Sequence, residues 1–282
     1  MIFMKTVLAY IHKSRVLLLV WGALLLAGSA TLLGAAPIKR CLFQIPLSGS
    51  KKVVTDKESH LIEKNIRKIT AKVDELREQL GIHSDTIAWQ VPNAVLHACN
   101  IPLPTYTNVK GFQVNSSDRI MHITLRDMGK VVEEYRDEVI ENLEHVCEEN
   151  SFDCSAQAIS VTIDNVAIFH DTSPLKNDDR VVVALNITSQ ENIFDTLASI
   201  LDHEIVQHRG LPRKHAEFIP HITIAIFNDL SHSQANKLVK KLKAAKRQLV
   251  LDTRPVRIRR FALSYGSYSY GPWDIRSFTQ VV

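Results

Sequence analysis

The tripeptide His-Ile-Thr occurs twice, at residues 122–124 and 221–223, 99 positions apart. The first copy lies in "RIMHITLRD" and the second in "FIPHITIAIF". Both runs alternate apolar and polar residues as a half-buried strand does, and strand side chains two apart share a face. Ile222, Ile224 and Ile226 are therefore expected on one face, with His221, Thr223 and Ala225 on the other. A helical pattern soon succeeds each run. One H-x-T in a half-exposed strand is unremarkable chemistry. Two in matching context predict an internally duplicated α+β unit, with two pseudo-symmetric lobes whose polar faces meet.

That constellation has a specific chemical use. An unperturbed imidazole titrates at about 6.5, so two of them across a cleft can act as general base and general acid at neutral pH. The hydroxyls of Thr124 and Thr223 can donate hydrogen bonds to non-bridging phosphate oxygens. The arrangement of His122, Thr124, His221 and Thr223 suits in-line attack on phosphorus and needs neither metal nor cofactor.

The rest of the chain supplies the scaffold. At 282 residues it can form one large domain or two small ones, and 45% apolar with 23% charged residues is ordinary globular usage. The net charge of +4 permits an anionic ligand without requiring one. A basic segment, 1–15, precedes residues 16–36, which read "VLLLVWGALLLAGSATLLGAA" without a formal charge. About 20 such residues span a bilayer as a helix. A basic lead with small residues at 28–30 also fits an export signal. The run exceeds the usual apolar length of a signal peptide, and no A-x-A-like site stands out, which favours a single-pass membrane anchor. The basic residues on its two sides are nearly balanced and leave its orientation open.

Residues 37–54 mix Pro, Gly and Ser with apolar residues and read as a linker. Over 55–81 an amphipathic helix is expected. Thr55 and Glu58 form a capping-box pattern, Ile62, Ile66, Ile69, Val73, Leu76 and Leu80 make a stripe, and Gly81 ends it. The stripe can pack on the body, serve as a stalk, or pair with a second copy. From residue 85 to 282 the pattern is of short strands and helices: strands at 86–91, 119–127, 158–170 and 180–188, helices at 128–150, 191–210 and 233–249, and strands from Val256 onward. Of the four cysteines, Cys147 and Cys154 flank a turn where a disulfide is feasible in an oxidising compartment; two free thiols fit equally.

The paired motifs resemble those of the 2H phosphoesterase superfamily, which includes the 2′-5′ RNA ligase-like and 2′,3′-cyclic nucleotide phosphodiesterase enzymes. The second motif carries the resemblance best: "GLPRKHAEFIPHITIAIF" has the loop, the phenylalanine and the Pro-His-hydrophobic-Thr. The resemblance covers the chain from about residue 85. It implies two antiparallel sheets facing a central cleft, metal-independent cleavage of a 2′,3′-cyclic phosphate or 2′-5′ phosphodiester on RNA or a nucleotide, and His221 as base with His122 as acid.

Other patterns are weaker. "HEIVQH" at 203–208 has one residue too many for H-E-x-x-H, so its histidines fall about 140° apart on a helix and cannot share a zinc. His170, His203, His208 and His215 are expected in surface or loop positions. Neither a P-loop nor a G-x-S-x-G motif is present in the sequence. Arg213 and Lys214 precede the second motif and can meet phosphate. Tyr265, Tyr268, Tyr270 and Trp273 near the C-terminus offer faces for base stacking, or else core packing. A basic helix at 233–249 reads as a solvated face. A non-catalytic RNA- or nucleotide-binding module and an envelope interaction protein are the competing readings. The two titratable side chains in register favour the enzyme.

Overall fold

In the computed structural model the described residues are 39–48, 52–103, 120–149, 158–172, 179–189, 193–201, 219–266 and 268–275. Among them, nine strands form two antiparallel sheets. The first sheet has the order β3-β1-β8-β9, from β1 (Lys39–Pro46), β3 (His122–Val131), β8 (Arg260–Tyr265) and β9 (Tyr268–Asp274). The second has the order β2-β6-β5-β4-β7, from β2 (Ile87–Trp89), β4 (Ile159–Asp171), β5 (Asp179–Ser189), β6 (His221–Leu230) and β7 (Val256–Ile258). Five helices accompany them: α1 (Asp56–Gln79), α2 (Asn93–Ala98), α3 (Glu133–Glu149), α4 (Ile193–Ile200) and α5 (His232–Lys246). The α+β class with two antiparallel sheets is as the paired motifs imply.

β1 overturns the expected linker at 37–54. Cys41, Phe43 and Ile45 alternate inward with no solvent exposure, and the intervening Leu42 and Gln44 are also nearly buried, so the run shows no polar stripe. A central strand covered on both faces loses the alternation that marks a half-exposed one. β1 lies between β3 and β8, antiparallel to both. The globular body therefore begins at Lys39, not at residue 85, and includes α1.

α1 begins as its sequence dictates. Thr55 Oγ1 accepts from the Glu58 amide at 3.3 Å while the Glu58 carboxylate accepts from the Thr55 amide at 2.9 Å. Gly81, with φ of +62°, lets the chain turn out of the helix where a Cβ would be strained. Leu61, Ile62, Ile66, Ile69, Val73 and Leu76 are all buried against the body, with α2 and α5 as neighbouring helices. Burying such side chains contributes about 1.5–3 kcal/mol each before conformational entropy is set against it. With this stripe occupied inside the chain, the expected pairing of two copies through the helix has no apolar face to use. Asn65, fully buried on α1, gives its Nδ2 to the Asp252 carbonyl (2.9 Å) and takes the Asp252 amide on Oδ1 (2.8 Å). These bonds hold the segment that leads into β7.

β3 outruns its expected end. The residues assigned to the start of a helix from Met128 continue the strand, because Lys39, Arg40 and Cys41 of β1 offer ladder partners to Val131, Lys130 and Gly129. α3 then starts at Glu133. α5 starts at His232, capped by Ser231 with Gln234 in a second capping box. Among the described residues no helix is long and apolar enough to cross a membrane. The apolar run at 16–36 lies outside the described residues, as do Cys154 and the Cys147 side chain.

Candidate active site

The two H-x-T motifs open β3 and β6, and these strands, from different sheets, come into contact with each other. In both, the middle residue is core: Ile123 and Ile222 are each 1% exposed, while His122, Thr124, His221 and Thr223 remain partly exposed. The alternation delivers the imidazole and hydroxyl of each strand to one face, as read from the sequence.

The correspondence extends to backbone detail. Along β3 the partners on β1 pass from Gln44↔Thr124 to Phe43↔Arg126, leaving Leu125 as an extra residue. Along β6 the partners on β5 pass from Ala184↔Thr223 to Val183↔Ala225, leaving Ile224 as an extra residue. Both strands thus bulge at the residue after the threonine. A bulge bends a strand and re-aims the side chains next to it. It also shifts the face on which the later residues of the strand lie. Ala225 and Phe227 are fully buried and Ile226 only half-buried, which reverses the expectation that Ile226 would continue the apolar face and Ala225 the polar one.

The imidazoles are held alike. His122 Nδ1 lies 2.9 Å from the Ile120 carbonyl oxygen, and His221 Nδ1 lies 2.6 Å from the Ile219 carbonyl oxygen. A carbonyl only accepts, so Nδ1 carries the hydrogen in each ring. The neutral form then has its lone pair on Nε2, and the cationic form has its second proton there. Each histidine is therefore oriented to take or give a proton at Nε2. This local geometry is the same in both and does not distinguish base from acid.

Three neighbours escaped the reading of the sequence. Phe169 of β4 sets its ring 5.3 Å from that of His221, tilted by 53°. Asn186 pairs with His221 across β5 and β6, and its buried Oδ1 has no hydrogen-bond partner. Gln44, 7% exposed, pairs with Thr124 across β1 and β3. Directly paired residues of antiparallel strands face the same side, so the amides of Asn186 and Gln44 stand beside the motif residues. Each is tens of residues away in sequence, and none belongs to a motif that would have drawn attention to it.

Of the expected substrate-binding residues, Arg213 and Lys214 lie outside the described residues. Tyr265 is corrected. It has no solvent exposure, its hydroxyl donates to the Val131 carbonyl at 3.1 Å, and Lys39 and Arg136 cover its ring at 5.4 and 5.0 Å from the centroid. A ring so enclosed has no face for a base. Tyr268 is in register with Tyr265 on β9, and its side chain lies outside the described residues. Trp273 is 7% exposed and packs on Phe261 at 5.7 Å between centroids, so it too is core.

His170 is no loop residue. Its Nε2 lies 2.9 Å from Asp179 Oδ2, which His232 Nδ1 also reaches at 2.9 Å. The His170 hydrogen bond, aided by His232, holds the Asp179 carboxyl below its usual range. Among the described residues no group of His, Cys, Asp and Glu is arranged to hold a metal ion.

A model of the 2′-5′ RNA ligase superfamily matches residues 111–265, more than half of the chain and both H-x-T motifs. The chain belongs to the 2′-5′ RNA ligase superfamily, among the 2H phosphoesterases, a group of phosphodiesterases and RNA ligase-like enzymes. Similar solved structures include Kluyveromyces marxianus Usb1 with uridine monophosphate, at 10% identity and a TM-score of 0.49, over 82% of this chain and 97% of that one. Another is Escherichia coli LigT complexed with 3′-AMP, at 14% identity and a TM-score of 0.37, over 84% of this chain and 98% of that one. No curated protein matches the sequence.

Proposed function

We propose that this chain hydrolyses a 2′,3′-cyclic phosphate or a 2′-5′ phosphodiester on RNA or a nucleotide, with His122 and His221 as the proton-transfer pair. The observation that carries the reading is the matching setting of the two imidazoles, each with its Nδ1 hydrogen on the carbonyl two residues earlier, which makes Nε2 the atom that takes or gives the proton.

In the forward step the neutral histidine takes a proton from water at Nε2 as the water oxygen bonds to phosphorus. The P–O bond to the ribose breaks on the opposite side, and the cationic histidine gives its Nε2 proton to the departing oxygen. The net result is one water added across one P–O bond, with the two rings exchanging protonation states. The family resemblance assigns His221 as base and His122 as acid. The Thr124 and Thr223 hydroxyls donate to the non-bridging oxygens, where charge builds up in the transition state. The scheme calls for no metal. Residues 16–36 act as a membrane anchor for this activity.

The test is a panel of 2′,3′-cyclic nucleotides, 2′-5′ and 3′-5′ dinucleotides, and cyclic-phosphate-ended RNA, assayed with full-length protein in detergent. Hydrolysis of the cyclic or 2′-5′ members, unaffected by a chelator, is the expected result. Chelator-sensitive turnover, or full turnover after His122→Ala or His221→Ala, refutes the mechanism.

A further inference from the structure

A groove of about 1020 Å³ lies between the first turn of α1 with its lead-in and the segments around β7, β8 and β9. Its charged lining is strongly one-sided: Lys52, Lys57, Arg254, Arg257, Arg259 and Arg260 against Glu58. Some of these cations are already engaged. Lys52 is bonded to Asp56 and Arg254 to Asp252 at 2.7 Å, while Arg257 lies close enough to Glu58 to help hold its carboxyl below the usual range, and that carboxyl also accepts the Arg257 backbone amide at 2.8 Å. Lys57, Arg259 and Arg260 are exposed and form no ion pair among the described residues. Three unneutralised cations on a concave surface form an electropositive trough.

None of the four motif residues lines the trough, but strand pairing relates it to the candidate active site. Ala262 lines it, Ala262 pairs with Gln44 on β1, and Gln44 pairs with Thr124 on β3. Paired residues face the same side of the sheet, so the trough and Thr124 share one face and stand two strand spacings apart, about 10 Å. At 3.4 Å per stacked nucleotide that is roughly three nucleotides of single strand.

We propose that this groove carries the phosphate backbone of a single-stranded RNA whose reacting end lies at the H-x-T pair, so that the substrate is a polynucleotide and not a free nucleotide. The proposal rests on the phosphodiesterase reading for its direction along the sheet. Concavity decides against an anionic membrane as the occupant, because a flat bilayer surface does not enter a groove, whereas a strand does. The excess positive charge stands about two strand spacings from a site that takes one phosphodiester, and a free mononucleotide bound there would leave it unused.

The experiment measures binding of a 5′-labelled 12-nucleotide oligouridylate with a 2′,3′-cyclic phosphate end by fluorescence anisotropy. Full-length His221→Ala protein in detergent micelles is used, which keeps the probe intact. Wild-type groove residues are compared with Lys57→Gln/Arg259→Gln/Arg260→Gln, and with Lys57→Glu alone as a second variant at an exposed helix position. Far-ultraviolet circular dichroism confirms that each is folded. The expected result is at least tenfold weaker binding at 0.1 M salt in the triple variant, with the log–log salt slope reduced by about 2, from three contacts at about 0.7 each. With His221 restored, the ratio of kcat/KM for the 12-mer over that for the cyclic mononucleotide should fall by a similar factor. The proposal is overturned if the 12-mer binds no tighter than a dinucleotide. It is also overturned if the triple variant binds like its parent, or if phosphatidylserine vesicles are bound with the same dependence on Lys57, Arg259 and Arg260. Groove-dependent RNA binding without cleavage of any phosphodiester keeps the groove and refutes the catalytic reading.

Discussion

Replacing His221 by asparagine separates what the ring does for the fold from what it does for chemistry. In the structure its Nδ1–H donates to the Ile219 carbonyl at 2.6 Å, and the asparagine amide nitrogen can donate the same bond from nearly the same place. What His221→Asn lacks is Nε2, together with the ring's contact with Phe169. Loss of a positioned proton-transfer group costs about 10²–10⁴-fold in turnover, or about 2.7–5.5 kcal/mol at 1.36 kcal/mol per tenfold. Loss of the backbone bond, by contrast, is worth about 0.5–1.5 kcal/mol of stability. His221→Asn should therefore be as inactive as His221→Ala in single-turnover hydrolysis of a cyclic phosphate, yet unfold in urea close to wild type, with only the alanine variant displaced. His122→Asn and His122→Ala should behave in the same way, since the Ile120 carbonyl holds that ring at 2.9 Å. The double asparagine variant should lose far less than the product of the singles, because the two groups act as one unit. An asparagine variant retaining more than about a tenth of wild-type turnover would refute proton transfer at Nε2, since the usual loss is at least about 10²-fold. It would leave the histidines a structural role only.

Particular contacts carry further consequences. Asn65→Ala strands the amide and carbonyl of the half-buried Asp252, at no more than about 1–3 kcal/mol for each group, and should lower the urea midpoint accordingly without changing the denaturant slope. Asp179, whose carboxyl is held below its usual range by His170 and His232, contributes stability that is fully present above about pH 4 and lost as pH falls through its lower folded value. The stability difference between wild type and Asp179→Asn, tracked by chemical denaturation from pH 7 to pH 2, should close over that acid window. Cys41 is buried and its thiol is pushed up to about 12, mainly by that burial, so peptide mapping after iodoacetamide treatment at pH 8 should find it unmodified in the native protein and modified after unfolding. Thr124→Ala and Thr223→Ala should each lower kcat less than either histidine substitution, since each removes one hydrogen bond to the phosphoryl oxygens and leaves proton transfer intact.

Short-range chemistry made much of this protein legible in its sequence. The capping box at Thr55 and Glu58, the stop at Gly81 and the α1 stripe depend on residues within a turn or two of one another, and all appear where the pattern puts them. The H-x-T strands depend on alternation within a few residues. The inference of a duplicated unit needed only that the same local pattern recur.

What the sequence left open depends on partners distant along the chain. β1 reads as a linker because a strand covered on both faces has no polar stripe, and only its place between β3 and β8 reveals it. The end of β3 is set by the ladder with Lys39, Arg40 and Cys41, which overrides a helical pattern from Met128. The bulges at Leu125 and Ile224 exist only relative to β1 and β5, and the flip of Ala225 and Ile226 results from one of them. Tyr265 and Trp273 carry aromatic faces that suit a base, but those faces are covered from α3, β1 and β8. The basic groove joins residues about 200 positions apart. The sequence by itself determined which side chains are chemically equipped and the local backbone that presents them, because those depend on neighbours in the chain. Only the tertiary structure decided register, burial and company, because backbone pairing and packing are contacts between segments whose partners no local window contains.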